Sequence, residues 1–198
     1  MKIDRVDELI AGIRKATSGQ EVKSTAVEEL NGWLVRNVPE EYRQAELSDG
    51  LKEEMPAMSK WQTLTLIGPP GTGKTYAIYA MMITAHKAGF MHPVKVISET
   101  DIDRARFDLG LLDNLIVHKG VLCLDDIGYK KPNDWNIQAL YEITTKRRKS
   151  NLHLIMTTNL DKDALTTQYG PAIASRVFGG IVIDTGGEDR RLLKGTKR

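Results

Sequence analysis

"LTLIGPPGTGKTYAIYAMM", Leu64–Met82, is the stretch whose reading decides the fold. Its first residues are apolar and extended in character. Glycines at 68, 71 and 73 and prolines at 69 and 70 then interrupt the run, and from Thr75 onward apolar residues recur at helical spacing. Strand, glycine loop, helix is the order this pattern predicts. Within it, "GPPGTGKT" places Gly68, Gly73, Lys74 and Thr75 at the fixed positions of the phosphate-cradling loop.

Glycines let such a loop curl with its N–H groups pointing inward, which makes an anion nest at the positive end of the following helix. The expected ligand is ATP with Mg2+. Gly68, Pro69, Pro70, Gly71, Thr72, Gly73, Lys74, Thr75 and Tyr76 form the predicted nucleotide-binding segment. Lys74 is expected to reach the β- and γ-phosphates and Thr75 to ligate the metal.

Hydrolysis needs two further parts, a carboxylate for the metal shell and a group that acts on the attacking water. "VLCLDDIG" carries apolar residues 121–124 straight into Asp125 and Asp126. Asp125 is assigned to the metal and Asp126 to the water. "LIMTTN" ends in Asn159, an amide that a neighbouring strand can bring to the γ-phosphate. Alone, either feature also reads as an ordinary strand end, because Asp and Asn are common turn residues.

The rest of the chain alternates between the two periodicities. The helix from Thr75 to Ala88 stops at Gly89, and the strand "PVKVIS" follows. A helix is predicted from Asp101 to about Asn114, then "GVLCLDD", a helix from Asp134 to Ser150, "LHLIMTTN", a helix over Lys162–Val177, and "GIVID". Five strands joined by helical crossovers predict an α/β fold with a parallel sheet. Upstream, Val6, Leu9, Ile10 and Ile13 share a helical face closed by Gly19. A second helix is signalled by Thr25 with Glu28, a capping-box spacing, and by Val27, Leu30, Trp33 and Leu34, ending at Pro39. Residues 1–37 are therefore read as a short helical segment, a brace or a partner-docking piece, and 38–198 as the nucleotide-binding domain.

At 198 residues and 41% hydrophobic, the chain suits one domain of ordinary size with a small appendage. A net charge of +2 excludes nucleic-acid binding by bulk charge and leaves only local patches for it. Cys123 is the one cysteine, which excludes an internal disulfide or cysteine metal cluster. "MKIDRVDELI" has no signal-peptide core and the apolar stretch Ala77–Ala85 is too short for a bilayer, so a cytoplasmic protein with no membrane partner is expected.

Taken together, "GPPGTGKT", "LCLDDIG", "MTTN" and "AIASRVFGG" resemble the AAA+ ATPases. More narrowly, the chain from about Val38 to Asp184 resembles the replicative helicase loaders of the DnaC and DnaI type and the IstB-type transposition helpers. The short N-terminal segment inclines the resemblance towards a phage or mobile-element version. The resemblance implies a P-loop AAA+ core with strand order 5-1-4-3-2, working as a homo-oligomer with ATP between subunits. Asp125 and Asp126 match the Walker B pair, Asn159 the polar sensor, and Arg176 the arginine finger offered to a neighbour's γ-phosphate. The chain ends soon after its fifth strand, so no helical lid domain is expected, and Arg190 or Arg191 stands in for the arginine usually carried there.

By the same resemblance, the implied function is an ATPase that binds a hexameric replicative helicase and single-stranded DNA and delivers the one to the other. The alternative is an IstB-type helper that assembles on duplex DNA and recruits a transposase. A small-molecule kinase is more distant, because "DDIG" and "TTN" stand where an acceptor pocket and arginine-rich lid would be. For DNA, Arg104 and Arg106 offer phosphate contacts and Phe107 a stacking face, against a plain amphipathic helix with a core phenylalanine. Arg147 or Arg148 is matched to an interface arginine, against an exposed helix end.

Overall fold

Thr63–Ile67 forms β1, and its Leu64, Thr65 and Leu66 are all buried. Burial of consecutive residues means both faces of the strand are covered, as in a parallel sheet. The structure is a computed structural model that describes residues 20–48, 51, 62–89 and 93–186. The helical pattern over Ile3–Ile13, and Arg190 and Arg191, lie outside the described residues.

The elements in chain order are α1 (Gln20–Asn37), β1, α2 (Lys74–Lys87), β2 (Val94–Ser98), α3 (Glu99–Arg104), α4 (Leu109–Val117), β3 (Val121–Ile127), α5 (Asp134–Lys149), β4 (Leu154–Thr158), α6 (Lys162–Tyr169), α7 (Pro171–Val177) and β5 (Ile181–Asp184). The sheet runs β2-β3-β4-β1-β5, all parallel, which is the expected order 5-1-4-3-2 read from the other edge. Parallel pairing sends the carboxyl ends of β1, β3 and β4 to one rim of the sheet, where ligands of open α/β sheets bind.

Three helical predictions are corrected. α1 begins at Gln20, so Thr25 lies inside it instead of capping it; Gln20, Glu21 and Lys23 are good helix formers that let the helix run on. The single helix expected from Asp101 is two, α3 and α4, joined by a 3-10 turn at Ala105–Phe107. Asp108 makes the break: its carboxylate accepts from the Leu111 N–H and caps α4. The helix expected over Lys162–Val177 also divides, at Gly170 (φ 85°) and Pro171. Glycine supplies the left-handed turn and proline starts the next helix without needing its N–H.

By its contacts the chain forms two units, residues 1–47 with 79–91 and residues 48–78 with 92–198. In the first, Trp33 stacks on His86 at 4.0 Å and Tyr42 on Tyr79 at 4.7 Å. In the second, the core gathers Ile97, Ile102, Leu122, Leu124, Leu140, Ile143, Met156, Leu165 and Val177.

Arg147 belongs to that interior. It is fully buried, and its Nη1 donates to the carbonyls of Leu115, Ile116 and His118 while Nη2 donates to Gly120 and His153. It thereby satisfies the open carbonyls at the end of α4. Burial pushes its pKa down to about 10, which leaves it charged at neutral pH. The reading of Arg147 as an interface or DNA arginine is thus corrected; Arg148 is exposed.

Candidate functional site

Between β1 and α2 the backbone turns through the glycine loop, with Gly73 at φ 94°. Only glycine takes that conformation without strain. The turn presents the start of α2, where Ala77 N–H already closes on Gly73 O at 2.8 Å. Lys74 is buried, and its ammonium donates to Gly68 O (2.7 Å) and Pro69 O (2.9 Å). Thr72 is buried and its hydroxyl bonds that of Thr185, just past β5, at 2.8 Å. Pro69 and Pro70 are exposed, and Gly71 and Tyr76 half-buried.

From Thr75 a chain of hydrogen bonds crosses the rim of the sheet. Thr75 Oγ1 donates to Asp125 Oδ2 at 2.9 Å, and Thr157 Oγ1 donates to Asp125 Oδ1 at 2.6 Å. The Asp126 N–H donates to the same Thr157 hydroxyl at 2.7 Å, and Asn159 Nδ2 donates to Asp126 Oδ1 at 3.2 Å. The predicted Thr75, Asp125, Asp126 and Asn159 are therefore in one network. Asn159 Oδ1 is buried and has no partner among the described residues.

Two adjacent strand residues normally point to opposite faces. Here the register between β3 and β4 shifts between Leu124 and Ile127, and Asp126 takes φ 61°. This bulge re-aims the strand so that both carboxylates serve one network. Thr157, the first residue of "TTN", fills the gap in the ladder, and nothing in the sequence marks it out from other strand threonines.

The oxygen donors suit the expected metal. A hydroxyl and a carboxylate within hydrogen-bonding distance of each other are hard ligands of the kind Mg2+ takes from protein, the remainder coming from phosphate and water.

Arg176 is not in this network. It is half-buried on α7, where Nε donates to Thr145 Oγ1 (2.8 Å) and Nη1 to Ala172 O (2.6 Å), and its guanidinium lies 4.3 Å from the Tyr141 ring centre.

Beyond β2, Ser98 caps α3 in a reciprocal capping box with Asp101. Arg104 pairs with Asp101 at 3.0 Å on the surface, Arg106 is exposed, and Phe107 is 89% exposed. Phe107 is thus not the core phenylalanine of the alternative reading. Tyr129, which the sequence reading did not single out, is 77% exposed directly after the Asp125–Asp126 strand. Its neighbour Lys130 pairs with Asp103, which also accepts from Asn136 Nδ2 at 2.6 Å. The first residue of α3, Glu99, is buried and accepts from the Tyr169 hydroxyl. Burial raises its pKa, against the opposing pull of that hydrogen bond, of the Lys130 charge and of backbone N–H groups at 128 and 130.

The model of the IstB-like ATP-binding protein family matches residues 53–179. No curated protein sequence matches the chain. Among solved structures, the crystal structure of the DnaC helicase loader aligns at TM-score 0.61 and 20% identity, covering 74% of this chain and 99% of that one. The crystal structure of DnaI aligns at 0.60 and 22%, covering 78% and 94%. Replication initiator DnaA, bound to AMPPCP and single-stranded DNA, aligns at 0.56 and 19%, covering 68% of this chain and 45% of that one. At these identities the likeness is one of fold.

Proposed function

This chain belongs to the IstB-like ATP-binding protein family, and from that premise we propose that it is a helicase-loading ATPase acting on single-stranded DNA. One observation carries the ATPase part: the unbroken Thr75–Asp125–Thr157–Asp126–Asn159 network at the end of the glycine loop. It unites on one rim the groups that phosphoryl transfer to water requires.

In this mechanism the loop N–H groups and Lys74 hold the phosphates, and Lys74 exchanges its bonds to Gly68 and Pro69 for phosphate oxygens. Thr75 and Asp125 would hold Mg2+, whose chemistry there would be to neutralise phosphate charge. Asp126 accepts the proton of the attacking water. Asn159 fixes the Asp126 carboxylate through Nδ2 and offers its unpartnered Oδ1 to the water. Arg176 completes the site of a neighbouring copy; its place outside its own chain's network supports action in trans.

The DNA part rests on Phe107 and Tyr129, two exposed aromatics flanked by Arg106, Lys130 and Lys131. Stacking faces beside cations are how single strands are held without sequence preference. The solved neighbours include a helicase loader and an initiator bound to a single strand. A second reading, the transposition helper on duplex DNA, is favoured by the family match itself.

Anisotropy of a labelled oligothymidylate, with and without ATP, tests the proposal. The expected result is ATP-dependent, salt-sensitive binding that weakens about tenfold in Phe107→Ala or Tyr129→Ala. The same ATP-bound protein should also speed the loading of a replicative helicase on that strand. Preference for duplex without any effect on helicase loading would replace the loader reading by the transposition helper.

A further inference from the structure

Arg176 and Arg147 are both held by several partners, yet in opposite ways. Arg147 spends both amino groups on five interior carbonyls. Arg176 is gripped only along one edge: Nε by Thr145, one Nη1 hydrogen by the Ala172 carbonyl, and its flat face by Tyr141. Nη2 has no partner among the described residues, and no carboxylate among them pairs with the guanidinium. The grip orients the cation without neutralising it.

Tyr141 and Thr145 are one helical turn apart on α5, so both face α7. Tyr141 is 41% exposed, which places the ring and its cation at the surface instead of in the core. The helices beneath are fixed by buried Ile143 and Ala174. An arginine left to itself samples many rotamers, and ordering it at the moment of reaction costs most of that freedom.

We propose that Tyr141 and Thr145 are positioning residues that hold Arg176 ready for the nucleotide of a neighbouring copy. This rests on the reading of Arg176 as a residue that acts in trans. Tyr141 supplies the plane on which the guanidinium lies, Thr145 fixes its rotation through Nε, and the free Nη2 edge is what reaches the γ-phosphate.

Mixed oligomers test it. Copies carrying Arg176→Ala keep their own Asp126 but lack the arginine, and copies carrying Asp126→Asn cannot hydrolyse but still offer Arg176. Mixing the two should restore ATP turnover in the Arg176→Ala sites. Donors that carry Tyr141→Leu or Thr145→Val in addition to Asp126→Asn should restore about fivefold less, and Tyr141→Phe donors should restore fully, because the ring face is kept. ATP affinity, thermal midpoint and association by sedimentation, measured on every donor, should match the Asp126→Asn parent. Full rescue by well-folded Tyr141→Leu and Thr145→Val donors would overturn the positioning role and leave the trans arginine standing. No rescue by the parent donor, or wild-type turnover by Arg176→Ala alone, would overturn the trans reading and this inference with it.

Discussion

Arg147 shows what one side chain decides in this fold. Five backbone carbonyls converge on it, three at the end of α4 and two beside β3 and β4. Arg147→Met keeps the stem and removes the donor from all five acceptors, of which the His153 carbonyl keeps a backbone partner, the Leu122 N–H, so unfolding in urea should show a loss of about 3–5 kcal/mol. Arg147→Lys retains a charge and three donors and should lose less. Equal stability of Arg147→Met and the wild type would refute the capping role. The four consecutive basic residues 146–149 read in sequence as a solvated helix end. The distinguishing signal was present all the same: 140, 143, 144 and 147 recur at helical spacing, and all four are buried. Its weight was lost because a charged residue in an apolar stripe is expected to face out.

At the scale of the element, the decisive feature is the bulge that ends β3. Thr157 on β4 bonds Asp125 through its hydroxyl hydrogen and receives the Asp126 N–H on its oxygen, so one hydroxyl fixes both carboxylates. Thr157→Val has the same shape without the hydroxyl. Steady-state ATP turnover should fall about 10- to 100-fold with ATP affinity little changed, since the substitution disturbs the groups acting on water and leaves the loop alone. Turnover within twofold of wild type would remove Thr157 from the site. The strands were legible because apolar runs bounded by Gly, Pro, Asp and Asn leave little choice of type; their order was implied by the family resemblance, not by the runs themselves. The bulge was not, because "VLCLDD" is buried on both faces and carries no alternation from which a register shift could be read. The breaks at Asp108 and at Gly170–Pro171 had local signals, a capping side chain and a Gly-Pro pair, overridden by the apolar periodicity running through them. Of the candidate site, the loop was legible from its spacing, while both aspartates and Asn159 also read as ordinary strand ends and drew their weight from standing downstream of that loop and from the family resemblance. Thr157 and Tyr129 were not legible, since a strand threonine and a loop tyrosine have many other uses.

For the molecule as a whole, stability should depend on pH through Glu99, which ties the end of β2 to Tyr169 at the end of α6. Burial raises its pKa, so the folded chain holds this proton more tightly than the unfolded chain. At pH below the ordinary glutamate range both states are protonated, and the contribution of Glu99 is fully present and independent of pH. As pH climbs through that range the unfolded state ionises first, and stability falls until Glu99 also ionises in the folded protein. Urea unfolding across this window should show the wild type losing stability relative to Glu99→Gln as pH rises; a constant difference would contradict it. Above this level stands the claim on which the account rests, that the rim of the sheet binds ATP and then hydrolyses it with Asp126. The most direct test is single-turnover hydrolysis by Asp126→Asn beside the wild type at assembling concentrations, with ATP binding followed in the same samples and Lys74→Ala as the non-binding control. Undiminished binding by Asp126→Asn with hydrolysis slowed at least about 100-fold is the predicted result. Wild-type hydrolysis by Asp126→Asn would contradict the account.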